Sequence, residues 1–117
     1  MENDTNCIFC KIIDRRIPSK IIFEDSDFLG FNDVAPQAPT HILVVPKKHY
    51  SDIHSLNESN KDIISGLFLC AKKIADRLEL DKKGYRMVIN NGTGAGQTVF
   101  HLHLHILSGR RFTWPPG

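Results

Sequence analysis

Residues 101–107 read His-Leu-His-Leu-His-Ile-Leu, so histidines occupy alternate positions in an apolar run. Side chains on a β-strand alternate between its two faces, so this pattern predicts three imidazoles on one face. The opposite face, which carries Phe100 and the leucine and isoleucine residues, is expected to lie beneath a helix. The segment therefore predicts a strand over 99–107 that presents a row of histidines.

This row of histidines suits phosphate chemistry at neutral pH, because the imidazole pKa lies near 6.5. A neutral ring nitrogen can attack phosphorus and form a phosphoramidate, which divides one displacement into two steps. Neighbouring imidazoles can donate to phosphate oxygens or protonate a leaving group. Same-face neighbours lie about 6.5–7 Å apart, too far for all three to ligate one metal ion. The alternative is a polar strand face without a chemical role.

A glycine-rich segment, residues 90–98, precedes the row and reads Asn-Asn-Gly-Thr-Gly-Ala-Gly-Gln-Thr. It lacks the lysine of a P-loop and does not begin a helix, so the common nucleotide-binding motifs do not apply. Alone, it is typical of a flexible turn between strands. Beside the histidines, its backbone N–H groups and the side chains of Asn90, Gln97 and Thr98 are candidate phosphate donors.

The rest of the chain predicts a small α+β domain. Short apolar runs predict strands at 21–23, 28–31, 41–45 and 85–89, the first two joined by a turn. Over residues 58–79 apolar side chains recur every three or four positions, which predicts a helix with one buried face. That face comprises Ile63, Ile64, Leu67, Phe68, Ala71, Ile74, Ala75 and Leu78. We expect mostly antiparallel strands with this helix packed against them.

Length and charge limit the classes of function. The 117 residues suit one domain, and a net charge of +2 does not favour a broad nucleic-acid-binding surface. We expect residues 1–6 to be flexible and 108–117 to be irregular. We predict no signal peptide and no membrane span. The odd number of cysteines, three, then favours a reducing compartment, by default the cytoplasm, with the nucleus also accessible.

Taken together, these features resemble the histidine triad (HIT) family, whose motif alternates histidine with apolar residues as 101–107 do. The likeness covers roughly residues 7–117 and is closest to the histidine triad nucleotide-binding branch, also called protein kinase C inhibitors. It is carried by 9–14, 17–25, 35–49, 84–88, 96–105 and the terminal Trp-Pro-Pro-Gly. The resemblance implies a five-stranded antiparallel sheet with one main and one short helix. It also implies a homodimer with a continuous sheet, each tail lying near the partner's active site.

The resemblance further implies hydrolysis of purine nucleoside 5′-phosphoramidates, AMP or GMP joined to an amine, without an organic cofactor. His103 would attack the α-phosphorus, and His41, which on an apolar strand also suits a buried core position, would orient it through hydrogen bonds. The phosphate and leaving group would be held by Asn90, Thr98 and His105. The nucleoside would contact Asp33 at the ribose hydroxyls, although Asp33 also suits turn capping, and Phe9, Ile17, Phe31 and Val34 around base and sugar.

Two positions depart from the family pattern and bear on the leaving group. Thr98 stands where relatives usually have serine, and Asn91 stands where they often have glutamate. Two other functions also remain open at this point. One is hydrolysis of dinucleoside polyphosphates, as in a neighbouring branch of the family. The other is a nucleotide-binding regulatory or scaffold protein with little turnover. The Trp-Pro-Pro-Gly tail favours the phosphoramidase.

Cys7 and Cys10 form a Cys-x-x-Cys pair, which is half of a typical zinc site. Two further nitrogen or sulfur ligands are needed to complete a tetrahedron. Resemblance to zinc-binding relatives implies that these are His49 and His101, in a structural site with no open position. The alternative is a pair of unliganded thiols. Of the remaining residues of these types, His54 is expected at the surface and Cys70 in the core.

Overall fold

The computed structural model describes residues 6–117, and the predicted flexibility of residues 1–5 lies outside them. One antiparallel sheet holds five strands in the order β1-β2-β3-β5-β4. They are β1 (Ile21–Glu24), β2 (Phe28–Asn32), β3 (Thr40–Pro46), β4 (Tyr85–Val88) and β5 (Leu104–Ser108). The α-helices are α1 (Ile8–Ile13) and α2 (Lys61–Arg77). The predicted α+β class, the five-stranded sheet and its main helix are confirmed.

Each face of the sheet packs against one helix. Alternate residues of β3 divide between the two, so Ile42 and Val44 join the core under α2, whereas Leu43 and Val45 join the core that contains α1. This division follows from the period of two along a strand. Within the described part of the chain, no helix is long and apolar enough to cross a membrane.

The buried part of α2 is both shorter and narrower than the sequence predicts. Residues 58–60 form a 3-10 turn before the helix, which ends at Arg77 rather than 79. Phe68 and Leu78, predicted to be buried, are 42% and 48% exposed, because they lie beside the stripe that faces the sheet. Cys70 lies in that stripe, as expected of a core cysteine. Burial raises the pKa of its thiol to about 12, so the thiol is protonated and unreactive at neutral pH.

The last strand is shorter than predicted, since it begins at Leu104 rather than 99. Its ladder with β3 ends at the pair Val44 and Leu104. Before that point the Leu102 N–H donates to the Tyr50 carbonyl at 2.6 Å instead of to a neighbouring strand. The first two histidines of the row therefore lie on an irregular segment before the strand, and the Leu102 N–H between them bonds outside the sheet.

Alternation of faces nevertheless continues through this irregular segment. Leu102 packs in the core under α2, and the His103 ring contacts Phe9 of α1 with centroids 5.1 Å apart. Phe100 is the exception, because it is 44% exposed rather than covered by a helix. The histidine row thus lies on the α1 face of the sheet, as its pattern requires.

Candidate active site

His103 carries a lone pair on Nε2. Its Nδ1 lies 2.7 Å from the carbonyl oxygen of His101, and because a carbonyl can only accept, Nδ1 must hold the proton. The ring is 7% exposed, and burial lowers its pKa, which keeps it neutral at pH 7. A neutral imidazole with its proton on Nδ1 has a nucleophilic Nε2.

His41 and His105 form a chain of hydrogen bonds whose direction is fixed by a backbone donor. The Gln37 N–H donates to His41 Nδ1 at 3.0 Å, so a neutral His41 carries its proton on Nε2. That Nε2 lies 2.9 Å from His105 Nδ1 and donates to it. His105 must then hold its own proton on Nε2, a buried atom without a partner among residues 6–117. His105 therefore presents a buried N–H donor at the end of this hydrogen-bond chain.

Burial keeps both His41 and His105 neutral. It lowers the pKa of His41, and it lowers the pKa of His105 to about 4, where His103 and His41 add to the effect. The Asp33 carboxylate opposes both shifts from close by, since its Oδ2 lies 3.4 Å from His41 Nε2. Its Oδ1 accepts the Ala35 N–H at 2.8 Å, so Asp33 also caps the turn after β2.

A cavity of about 250 Å³ opens beside these histidines. Of the residues predicted to bind nucleotide, it is lined by Phe9, Ile17, Phe31, Asp33, Val34, Thr98, His103 and His105. Its walls are therefore mostly apolar on the α1 side and carry imidazoles at one end. Asn90 instead lines a second cavity, of about 250 Å³, which His41 and His105 also border.

Gln97 stabilises the glycine-rich loop from within. Its Nε2 donates to the Ser51 carbonyl at 2.9 Å and the Val99 carbonyl at 3.1 Å, and its Oε1 accepts the Gly92 N–H at 2.7 Å. Both amide hydrogens are therefore occupied, and the side chain is 2% exposed. This corrects the expectation that the Gln97 side chain donates to phosphate.

Cys7, Cys10, His49 and His101 bring four ligand atoms within 4.8 Å of one another. The His49 and His101 Nδ1 atoms are 3.1 Å apart, and three sulfur–nitrogen distances are 3.3, 3.4 and 3.5 Å. A zinc tetrahedron with usual bond lengths has edges of about 3.3 Å between nitrogens and about 3.6 Å between nitrogen and sulfur. His101 Nε2 donates to the Pro46 carbonyl at 2.8 Å, which leaves Nδ1 free to ligate. The cluster fits zinc in size and donor set.

Known proteins match this chain over nearly its whole length. Residues 14–112 match the HIT domain family. The chain belongs to the HIT family. An uncharacterized HIT-like protein of Synechocystis sp. is 50% identical over 117 residues, which is 100% of both chains. A HIT family hydrolase of Legionella pneumophila has 47% identity and a TM-score of 0.93, with 96% of this chain and 100% of that one covered. A histidine triad nucleotide-binding protein of Candida albicans has 34% identity and a TM-score of 0.81, with coverages of 94% and 83%.

Most of the candidate residues predicted from the sequence lie in two neighbouring sites, the cavity beside the histidines and the cluster of cysteines and histidines. His54 is exposed and lies apart from both, as expected. Asn91 lines neither cavity, and its Oδ1 accepts the His54 N–H at 2.9 Å. Several cavity-lining residues were not predicted: Ile8, Ile12, Pro18, Ser19, Asn32, Leu43 and Val99. Two of these residues could have been predicted from the sequence. Ile8 and Ile12 are about one helical turn apart in α1, so they lie on one face of the helix, beside Phe9.

Proposed function

We propose that this HIT domain hydrolyses purine nucleoside 5′-phosphoramidates through a nucleotidyl-His103 intermediate. One observation carries the proposal: the neutral His103, with its Nε2 lone pair, and His105, whose Nε2–H has no partner among the described residues, line the same mostly apolar cavity. A nucleophile and a hydrogen-bond donor beside an apolar recess suit an activated phosphate attached to a nucleoside.

In the first step His103 Nε2 forms a bond to the α-phosphorus, and the bond from phosphorus to the substrate nitrogen breaks. The electron pair goes to that nitrogen, which takes a proton from water and departs as the amine. The His101 carbonyl accepts the Nδ1–H of the resulting imidazolium at its 2.7 Å contact. The Nε2–H of His105 donates to a phosphate oxygen, a stabilisation that strengthens as charge builds up.

In the second step the hydroxide ion left by that proton transfer attacks phosphorus, and the bond to His103 Nε2 breaks. The electron pair returns to the ring, and the nucleoside monophosphate leaves. The sum is one water consumed, one amine and one monophosphate released. His41 acts through His105 and is therefore a positioning residue, because its hydrogen bonds fix which nitrogen of His105 carries the proton.

The remaining cavity residues fit the nucleoside part of this substrate. Phe9, Ile17, Phe31 and Val34 offer apolar contact to a purine, and Thr98 offers a hydroxyl to the phosphate. Asp33 retains acceptor capacity for ribose hydroxyls beyond its bond to the Ala35 N–H, because a carboxylate has about four lone-pair sites.

We also propose that Cys7, Cys10, His49 and His101 hold a structural zinc ion. When bound, the metal would cross-link α1 to the segment before β5, with no open position for chemistry. His101 belongs to both sites, because its ring supplies a ligand atom and its carbonyl orients His103. The cluster therefore supports the position of the nucleophile.

An open edge of the sheet and several exposed apolar residues support a homodimer. β4 lies at the edge of the sheet with one neighbour, β5. Met87 of β4 is 40% exposed, and Phe68 and Leu69 of α2 are 42% and 57% exposed. Pairing of two β4 strands would continue the sheet, and an interface that extended over these side chains would bury them. Sedimentation or light scattering tests this, and a monomer at micromolar concentration would contradict it.

The function is tested with AMP joined to an amine and with diadenosine polyphosphates as substrates. We expect turnover of the phosphoramidate, with His103→Ala slower by three orders of magnitude, about 4 kcal/mol, or more. The matched control is His54→Ala, an exposed histidine, which retains full activity. Equal rates on the polyphosphates would favour that other hydrolase. Tight AMP binding without turnover of either substrate would favour a regulatory nucleotide-binding protein.

A further inference from the structure

The second cavity, which His41, His105 and Asn90 border, is also lined by two arginines, Arg86 and Arg110. His105 borders both cavities, so a phosphate held there would have the nucleoside on one side and its other substituent on the other. The second cavity is therefore in the place where the leaving group of the proposed reaction would lie.

Both arginines are held in position by neutral groups. The Arg86 and Arg110 guanidinium carbons lie 5.3 and 4.3 Å from the ring centroid of Phe112. Arg86 Nη2 donates to the Thr113 carbonyl at 3.0 Å, and Arg110 Nε donates to the Gln37 carbonyl at 2.9 Å. Stacking on an aromatic ring and bonding to carbonyls fix a guanidinium without neutralising its charge.

Among the described residues, neither arginine forms an ion pair with an acidic side chain. Every ion pair among residues 6–117 uses other cations, namely Arg15, Arg16, His41, Lys47, Lys72 and Lys82. Two guanidinium groups on one ring repel each other, and an anion between them relieves that repulsion. Arginine also matches the planar geometry of a carboxylate.

From the place and charge of this cavity we infer that the preferred leaving group is an amine that carries a carboxylate, such as an amino acid joined to phosphorus through its nitrogen. This inference rests on the proposed function. Arg86 and Arg110 would bind the carboxylate of the amine, while His103 attacks the phosphorus atom to which that amine is joined. Phe112 acts through the arginines as their support.

The test compares two substrates of this enzyme, AMP joined through nitrogen to β-alanine and AMP joined to β-alaninamide. They share the chain but differ in the terminal charge. We expect kcat/KM to be about tenfold higher for the carboxylate. Arg86→Gln and Arg110→Gln should each lower this ratio by about fivefold, as expected for an exposed ion pair. Comparing the ratio between variants cancels the different basicity of the two nitrogens.

Arg111→Gln is the matched control, because Arg111 is adjacent in sequence and does not line this cavity. It should leave the ratio unchanged. If both substrates are hydrolysed and neither Arg86→Gln nor Arg110→Gln changes the ratio, the inference is wrong and the proposed function stands. If neither substrate is hydrolysed, the proposed function is wrong, and the inference is wrong with it.

Discussion

Replacing His41 by alanine tests the hydrogen-bond chain that fixes the proton on His105. The substitution removes the 2.9 Å bond to His105 Nδ1 and leaves the Gln37 N–H without its acceptor. A buried polar group that loses its partner costs about 1–3 kcal/mol. If that cost falls on the donor function of His105, kcat drops by about 5- to 150-fold, since about 1.4 kcal/mol corresponds to a factor of ten.

The assay measures kcat for AMP joined to an amine at pH 7, with circular dichroism to establish that the variant is folded. The matched control is Gln37→Ala, because it keeps the backbone N–H that donates to His41 and removes only an exposed side chain. We expect this control to remain within about twofold of the unchanged protein. A folded His41→Ala protein with unchanged kcat would refute the assignment of His105 as the donor that His41 orients.

Three further predictions concern pH, metal and packing. The pKa of His105 is about 4 in the folded chain and about 6.5 when unfolded, so the folded state binds fewer protons between these values and stability falls as the pH drops from 6.5 towards 4. An NMR titration should find the His105 ring neutral at pH 5.5, and a midpoint near 6.5 would contradict its burial. His49→Ala should reduce bound zinc below about 0.1 per chain, while His54→Ala retains it, as measured by metal analysis of purified protein. Gly66→Ala should destabilise the fold by up to about 2 kcal/mol in urea unfolding. The new Cβ would lie 2.6 Å from the buried Phe28 ring, and such overpacking costs about 1–3 kcal/mol, whereas helix propensity returns about 1 kcal/mol. Ser65→Ala, at an exposed neighbour, should not destabilise it.

The elements with strong periodicity were predictable, and their boundaries were not. The alternation in 101–107 places the histidines on one face correctly, because Leu102 and Leu104 bury under α2. It fails to predict where β5 begins, since that depends on Tyr50, a residue distant in sequence that accepts the Leu102 N–H. The width of the buried stripe of α2 depends likewise on how much of the helix the sheet covers, and Phe68 lies beside the covered part and is exposed.

The site was predictable by residue type but not by hydrogen-bond role. Gln97 has the chemistry of a phosphate donor, yet its two amide hydrogens are occupied by the carbonyls of Ser51 and Val99. Nor does the sequence reveal that His41 contacts His105 rather than His103, because that contact requires the register of β3 against β5. Arg86 and Arg110 carry no motif, and only the packing of the tail brings them to one ring.

Trapping the covalent intermediate tests the central claim most directly. The protein is mixed with AMP joined to an amine, quenched in base within the first turnover, and digested for mass spectrometry. We predict an added adenylyl group on the peptide that contains residues 101–105, located to His103 by fragmentation and absent in His103→Ala. Burst kinetics of amine release, one per active site, should accompany it. Turnover in which no adenylyl group is found on His103, or which persists in His103→Ala, would contradict the account.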